Sequence, residues 1–312
     1  MRILVTGSEG SIGDYIVSEI YEKYPSSQVL RVSRDDSISD DNRSIYYFGD
    51  LKDPNLYKQI FAQEEVNLVI ACAGIWNGLN QDQSVLENNK KIMENLFSNI
   101  TDTVEQIIFI SSSAVYKDNF SDMDELIYTP ESTYGRSKYL SEIMLRDWTN
   151  DTKKRYTIYR PFHVVSPREK FQKGRSHVCT DFAYRIIDMK ENIEPLEMPE
   201  DIMIGFMWAR DFANIIISNI ENQKTFNEIF NIGTNEEHTL QELAQEIIIQ
   251  AIELELINTS YKPLLLIPPS ATENTRFKKM DEILDVNGIT DFKTLIKHFL
   301  IEKYLKHERT KN

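Results

Sequence analysis

A glycine turn near the N-terminus, in the stretch VTGSEGSIG, constrains the fold of this chain more than any other feature. It stands between a short β-branched run, RILVT, and an apolar-periodic segment that predicts a helix. Glycine tolerates the backbone of a tight turn, and without a Cβ it lets a ligand and a helix approach closely. The N-terminus of the helix presents free N–H groups to a pyrophosphate. The pattern therefore predicts dinucleotide binding by Gly7, Gly10, Ser11, Ile12 and Gly13, with a plain tight turn as the alternative.

Apolar runs that alternate with helical patterns predict the rest of the fold. The runs RILVT, SQVLRVS, LVIACA, QIIFISSS and YTIYRPF are each separated by a helix-period segment. Continuous apolar strands that alternate with helices are typical of parallel sheets covered on both faces. We therefore predict an α/β fold, with a Rossmann doubly wound parallel sheet in a dinucleotide-binding domain over residues 1–165. A smaller C-terminal α/β substrate domain is expected over residues 166–312, apart from a segment near 205–233 that returns to the first domain.

Composition excludes several classes of partner. The net charge of −14, from 49 acidic and 35 basic residues, repels phosphate backbones and argues against nucleic acid. The two cysteines, Cys72 and Cys179, form no CxxC and have no metal-type spacing, which argues against a disulfide framework and a metal site and suits a reducing compartment. No apolar run reaches the roughly 18 residues of a membrane span, and the N-terminus has no secretion-signal pattern. We expect a cytoplasmic protein with a small-molecule substrate and no membrane.

The end of the second predicted strand, VLRVSRDD, bears on the choice of cofactor. A free ribose 2′-hydroxyl usually meets an acidic residue about 20 residues beyond the glycines. Ser33 occupies that place, followed by Arg34. A hydroxyl beside a guanidinium suits a 2′-phosphate, which predicts NADP rather than NAD. The nearby Asp35 and Asp36 keep NAD open as the alternative.

The stretch STYGRSKYLSE places Tyr134 and Lys138 four residues apart in a predicted helix. Residues at this spacing share a face, so the ammonium should lower the pKa of the phenol from about 10 and favour phenolate. An ordinary surface pair is the alternative.

Several motifs in a fixed order carry a family resemblance. They are TGxxGxxG, GDLKD, ACAG, NKKIMENLF with Asn89 and Asn95, SSSAVY, YxxxK, RPF, RDFA with Asp211, and FNIGT. With these motifs the chain resembles the extended short-chain dehydrogenase/reductase family, which comprises nucleotide-sugar epimerases, dehydratases and reductases. In that family the tyrosine moves a proton to or from a substrate oxygen while hydride passes to or from the nicotinamide.

The resemblance implies roles for individual residues. The catalytic set would be Ser112, Tyr134 and Lys138. Cofactor contacts would come from Asp50, Leu51, Cys72, Ala73, Gly74, Tyr134, Lys138 and Pro161, and Asn89 would brace neighbouring strands from a buried position. Candidate substrate contacts are Ser113, His163 and Trp76. For His163 a buried neutral imidazole is an equal alternative, and for Trp76 core packing is the simpler interpretation.

Two departures from the family pattern restrict the reaction. Sugar 4,6-dehydratases of the family carry Thr-Asp-Glu where this chain has Ser112-Ser113-Ala114, so the acid and base of water elimination are absent. The family often has an arginine for the substrate diphosphate where this chain has Ile204. Candidate substitutes are Arg168, Arg175 and Arg210.

These observations predict an NADP-dependent reductase of a nucleotide-linked 4-keto (deoxy)sugar. A nucleotide-sugar 4-epimerase with tightly bound NAD(P) is the alternative within the same fold. A catalytically idle NADP-binding regulatory protein is the alternative of another class. The resemblance further implies a homodimer formed through the helices that contain Asn89 and Tyr134.

Overall fold

The computed structural model describes residues 1–36, 42–76, 81–116, 130–189, 196–197, 202–234, 236–258, 265–266, 274–276, 284 and 288–305. The helices within this part are α1 (Gly13–Lys23), α2 (Pro54–Gln63), α3 (Gln83–Asn99), α4 (Thr133–Thr152), α5 (Val178–Ala183), α6 (Ala209–Ser218), α7 (Leu240–Glu253) and α8 (Phe292–Leu300). The strands are β1 (Arg2–Thr6), β2 (Gln28–Ser33), β3 (Ser44–Phe48), β4 (Leu68–Ala71), β5 (Gln106–Ile110), β6 (Arg155–Pro161), β7 (Val164–Val165), β8 (Leu196–Glu197), β9 (Ile202–Ile204), β10 (Met207–Trp208), β11 (Glu228–Ile232), β12 (His238–Thr239), β13 (Leu265–Leu266) and β14 (Asn274–Arg276).

Seven strands form one sheet in the order β11-β6-β5-β4-β1-β2-β3, and every neighbouring pair is parallel. The order reverses between β1 and β4, which pair with Ile3 opposite Leu68. In doubly wound sheets, ligands bind outside the carboxyl ends of the strands at this point of reversal. The predicted Rossmann doubly wound sheet is confirmed.

The core lies on both faces of the sheet. Successive residues of a strand point to opposite faces, so Ile3 and Val5 pack on one side of β1 while Leu4 packs on the other. The first face is covered by α1 and α6, and α7 and α8 extend the same cluster into the C-terminal part of the chain. The second face is covered by α2, α3 and α4. All the predicted apolar runs of residues 1–165 are therefore buried strands.

The edge strand β3 was not predicted. Only Ser44 and Tyr47 of its five residues are buried, and it ends in the exposed Phe48. It also pairs in parallel with β2 although no helix separates the two in the described residues. A search for continuous apolar runs joined by helices therefore misses it.

Beyond residue 166, the described part of the chain contributes one strand to the seven-stranded sheet. Strand β11 pairs with β6, opposing Ile229 to Ile158. Just before α6, Phe206, Met207 and Trp208 are all buried in the core. Short two- and three-stranded sheets around β8 and β9 complete this part. In the described part of the chain, no helix has the length and apolar character that a membrane crossing requires.

Candidate active site

Two cavities lie along the carboxyl ends of the sheet strands, and a third adjoins the first of them at Trp76. The first, of about 290 Å³, is called here the Tyr134 cavity and is lined by residues that include Ser112, Tyr134 and Lys138. The second, of about 490 Å³, is the Gly10 groove beside the glycine turn. The third, of about 580 Å³, is the Arg175 cavity, which shares Trp76 with the first.

Helix α4 brings Tyr134 to Ser112. The helix begins at Thr133, where the side chain of Ser132 accepts a hydrogen bond of 2.9 Å from the N–H of Gly135. A Cβ on Gly135 would lie 2.0 Å from the carbonyl oxygen of Ala114, so only glycine lets the helix pack against the turn that follows β5. Ser112 begins that turn, with its Oγ accepting from the N–H of Ala114 at 3.1 Å. The close packing places the side chains of Ser112 and Tyr134 in hydrogen-bond contact.

Lys138 lies one helical turn beyond Tyr134 and is buried. Its Nζ donates a hydrogen bond of 2.7 Å to the carbonyl oxygen of Ile110 and lies 5.8 Å from the centre of the Tyr134 ring. Burial raises the pKa of Tyr134 to about 12, against the opposing effect of the hydrogen bond with Ser112. Burial likewise lowers the pKa of Lys138 to about 8.

The expectation that Lys138 lowers the phenol pKa below its ordinary value is therefore wrong for the unliganded chain. The cost of burying a phenolate exceeds the attraction of an ammonium that is directed to the main chain. Tyr134 is consequently a protonated phenol at neutral pH.

A buried ion pair supports the site from behind. Glu142, one turn beyond Lys138, pairs with Arg160 of β6, and the two side chains are 0% and 2% exposed. Arg160 Nε donates to Glu142 Oε1 at 2.9 Å, and Arg160 Nη1 donates to the Tyr116 hydroxyl at 2.6 Å. The hydroxyl of Ser111 donates to the same carboxylate. The network thus ties α4 to the end of β5, immediately before Ser112.

The Gly10 groove has the features of a dinucleotide site. Gly7 has a φ of 66°, and a Cβ on Gly13 would lie 2.1 Å from the Gly7 carbonyl oxygen. The turn and the helix N-terminus therefore meet in a way that only glycine permits. Of the predicted cofactor residues, the groove is lined by Gly7, Gly10, Arg34, Asp50, Leu51, Ala73 and Gly74. The Tyr134 cavity is lined by Ser11, Ile12, Cys72, Tyr134, Lys138 and Pro161.

The Ser33 side chain does not make the contact that was predicted for it, with a 2′-phosphate. Its side chain is buried, and its hydroxyl donates a hydrogen bond of 2.7 Å to the Glu9 carboxylate. The same oxygen accepts from the N–H of Asp35 at 2.9 Å. Arg34 is exposed and lines the groove, together with Glu9 and Lys170. The end of β2 therefore carries both a base and a carboxylate, the latter supplied by the glycine turn.

The predicted substrate residues Ser113, His163 and Trp76 all line the Tyr134 cavity. His163 is only partly buried and has a φ of 44°. Trp76 is 36% exposed and stacks on His177, with ring centres 4.4 Å apart. The simpler interpretation of Trp76, core packing, is therefore wrong, because the strand β4 ends at Ala71 and the following residues leave the core.

The three arginines that were candidates for binding a substrate diphosphate have different surroundings in the structure. Ile204 itself is buried in β9. Arg168 pairs with Asp14 at 2.7 Å, and Arg210 pairs with Glu19 at 3.0 Å, so both are engaged with α1. Arg175 lines the cavity that bears its name, with Lys173 and Arg185.

Asn89 braces the site, although it joins a loop to a helix rather than two strands. Its Oδ1 accepts from the N–H of Ile75 at 2.7 Å, and its Nδ2 donates to the carbonyl oxygen of Ile75 at 3.0 Å. The same Nδ2 donates to Ser137 Oγ at 2.9 Å. Asn89 thereby holds the segment after β4 against the first turns of α4.

Four charged or titratable residues near the site were not predicted. Glu142 continues the four-residue spacing of Tyr134 and Lys138, which is a signal that the sequence does contain. Glu9 lies inside the glycine motif. Glu169 and His177 belong to a polar loop, and only the folded structure brings them to the Tyr134 cavity.

Comparison with known proteins agrees with this geometry. Residues 3–233 match the model of the NAD dependent epimerase/dehydratase family. The human dTDP-D-glucose 4,6-dehydratase is 24% identical over 270 residues, which covers 79% of this chain and 73% of the relative. The UDP-glucose 4-epimerase of Haemophilus influenzae is 31% identical over 193 residues, 54% of this chain and 55% of the relative.

Among solved structures, the UDP-glucose 4-epimerase of Thermotoga maritima superposes with a TM-score of 0.81 at 19% identity, covering 99% of this chain and 100% of that one. This likeness establishes the fold, while the family match covers most of the chain. The chain belongs to the NAD-dependent epimerase/dehydratase family, a group of enzymes of the extended short-chain dehydrogenase/reductase type.

Proposed function

We propose that this enzyme is an NADP-dependent reductase of a nucleotide-linked 4-keto (deoxy)sugar. One observation carries the proposal: Ser112 and a protonated Tyr134 share a cavity with Lys138, next to a groove built for a dinucleotide. When bound, the nicotinamide supplies the hydride to the sugar carbon.

Ser112, Tyr134 and Lys138 bind the oxygen of the ketone and supply its proton. Ser112 and the Tyr134 hydroxyl hydrogen-bond this oxygen and orient it. As negative charge develops there, Tyr134 donates its proton, and the positive charge of Lys138 stabilises the phenolate that remains. Because burial raises the pKa of Tyr134, the phenol is already in the acid form that reduction requires.

The Arg175 cavity suits the nucleotide part of the substrate. Lys173 and Arg175 supply positive charge for a diphosphate, while Arg185 pairs with Asp181 at 3.5 Å in the same cavity. Phe171 and Tyr184 stack on each other there, with ring centres 3.7 Å apart, and offer aromatic surface to a base. A sugar attached to the diphosphate would reach Tyr134 past Trp76, which lines both cavities.

Arg34, which follows β2, and Lys170, which also lines the Gly10 groove, support NADP because both supply positive charge there. Glu9 opposes them at the same place. Replacing Arg34 by alanine should therefore weaken NADPH binding more than NADH binding in a fluorescence titration. Equal losses would contradict the assignment of Arg34 to the 2′-phosphate.

A 4-epimerase is the second candidate, supported by the name of the H. influenzae relative. An epimerase would first remove a proton from the C4 hydroxyl, for which the raised phenol pKa is unfavourable. Water elimination is disfavoured because Ser113 and Ala114 supply neither acid nor base at the end of β5.

We also propose a homodimer in which α3 and α4 of each copy form the interface. These helices contain Asn89 and Tyr134 and pack beside each other on one face of the sheet. Light scattering on the purified protein tests this; a monomeric mass at micromolar concentration would contradict it.

The test mixes purified protein with NADPH and dTDP-4-keto-6-deoxyglucose or its UDP counterpart. The absorbance of NADPH and the formation of the sugar product are followed together. Consumption of one NADPH per sugar reduced is the expected result. Sugar turnover without loss of NADPH would establish the epimerase instead. No turnover of either kind with these sugars would contradict both.

A further inference from the structure

The chain continues beyond α8 by one wide helical turn, Ile301–Leu305, called here the α8 turn. Glu302 of this turn accepts a hydrogen bond of 2.6 Å from the hydroxyl of Tyr15 on α1. The hydroxyl of Tyr304 donates a hydrogen bond of 2.9 Å to Asp188, in the segment that follows α5. The α8 turn is therefore attached on one side to α1 and on the other side to the segment after α5.

Lys303, between these two residues, contacts the loop that follows β7. Its Nζ donates hydrogen bonds of 2.7 Å to the carbonyl oxygen of Glu169 and of 3.3 Å to that of Pro167. Residues 166–177 form neither helix nor strand, so their carbonyl groups do not receive the partners that regular structure supplies. An ammonium has three donors and can hold two carbonyl oxygens at once. Lys303 thereby fixes the main chain of this loop at two positions.

The surroundings of Lys303 distinguish it from the other lysines of α8. Burial lowers the pKa of Lys303, whereas the charges of Glu169 and Asp188 favour its ammonium form. By contrast Lys297, six residues earlier, pairs with Glu253 at 3.5 Å, and both of these side chains are 45% exposed. Lys303 is thus held between the α8 turn and the loop, while Lys297 is a solvated surface residue.

The loop fixed in this way forms a wall of the Tyr134 cavity. Glu169 lines this cavity, and its carboxylate accepts a hydrogen bond of 3.1 Å from the N–H of His177. The His177 ring stacks on Trp76, with ring centres 4.4 Å apart. Trp76 also lines the Arg175 cavity. A shift of the main chain at Glu169 would therefore move a wall that both cavities share.

The start of the same loop is attached separately to α1 and the glycine turn. Ser166 Oγ donates a hydrogen bond of 2.8 Å to the carbonyl oxygen of Ser11, and Arg168 pairs with Asp14 at 2.7 Å. Neither contact involves the α8 turn. Loss of the Lys303 side chain should therefore leave the cofactor side of the loop in place and release the side that faces the substrate.

We propose that Lys303 is a positioning residue for the nucleotide sugar: it sets the distance between the loop wall and the predicted catalytic side chains of α4. The inference rests on the proposed function, because it requires a nucleotide sugar in the two cavities. Lys303 lies outside the described lining of both cavities, so it acts through the main chain of Glu169 rather than by touching the substrate. A displaced wall weakens several substrate contacts together, whereas the cofactor contacts are retained.

The experiment measures two affinities for each variant of the full chain. Calorimetry gives the affinity for dTDP-4-keto-6-deoxyglucose with NADP⁺ present, so that no hydride is delivered, and a fluorescence titration gives the affinity for NADPH. Lys303→Met should weaken sugar binding about 10- to 100-fold and change NADPH binding by less than about twofold. Lys303→Arg keeps a cation with several N–H donors and should recover most of the loss. Lys297→Met, on the same helix, is the matched control and should bind both ligands as the wild type does.

Wild-type affinity for the sugar in Lys303→Met would overturn the proposal. Equal losses of sugar and NADPH affinity would also overturn it, because a general loss of stability would then explain both. Sugar binding by the wild type without reduction would contradict the reductase assignment, while the comparison of Lys303→Met with the wild type would still decide the positioning role. Failure of the wild type to bind the sugar at all would contradict both.

Discussion

The buried ion pair behind the site gives the sharpest stability prediction. Replacing Glu142 by glutamine keeps the size of the side chain and removes its charge, so the guanidinium of Arg160 stays buried with a weaker partner. Both side chains are almost wholly inaccessible, and the carboxylate also accepts from Ser111. Breaking a buried pair from one side costs about 3–5 kcal/mol.

The matched control is Glu105→Gln. Glu105 pairs with Arg155 at 2.8 Å, but the two side chains are 69% and 40% exposed, so the expected cost is about 0–1 kcal/mol. Urea unfolding at pH 7 measures both variants on the same chain. Equal losses of unfolding free energy would refute the reasoning that burial, rather than the ion pair itself, sets the cost. The double variant Glu142→Leu with Arg160→Met should recover part of the loss, because it leaves no unpaired charge.

Three further changes are predicted. Burial lowers the pKa of Lys138 to about 8, so between about pH 8 and about pH 10 the unfolded chain binds a proton that the folded chain does not. The unfolding free energy of the wild type should therefore rise by roughly 2 kcal/mol over this range relative to that of Lys138→Met. Urea unfolding at several pH values across the range measures the difference. Glu9→Gln should tighten NADPH binding roughly tenfold relative to NADH in a fluorescence titration, since it removes a carboxylate beside the expected 2′-phosphate. Gly13→Ala should abolish binding of either cofactor in the same titration, because its Cβ would lie 2.1 Å from the Gly7 carbonyl oxygen.

The central sheet was predictable from the sequence because its inner strands are buried on both faces and therefore appear as continuous apolar runs. The runs LVIA and QIIFI are buried at every position. The edge strand β3 has no such signature, and its pairing depends on the exposed backbone edge of β2. Propensity along the chain contains no information about that edge.

The candidate site was predictable only where its residues lie in one motif. Tyr134 and Lys138 share a helix face, so their spacing was informative. Glu169 and His177 are brought together by a loop of irregular backbone, whose sequence shows neither helix nor strand periodicity. The pKa of Tyr134 was mispredicted for a related reason: sequence spacing shows which charge is near, but burial, which dominates here, depends on packing against the turn at Ala114.

The central claim is that Tyr134 is the acid of a ketone reduction in this cavity. The most direct measurement is the rate of NADPH oxidation with dTDP-4-keto-6-deoxyglucose by Tyr134→Phe, beside Tyr156→Phe at the far end of β6 as the control. We predict a loss of about 10²–10⁴-fold for Tyr134→Phe and a wild-type rate for the control. A wild-type rate in Tyr134→Phe would contradict the account.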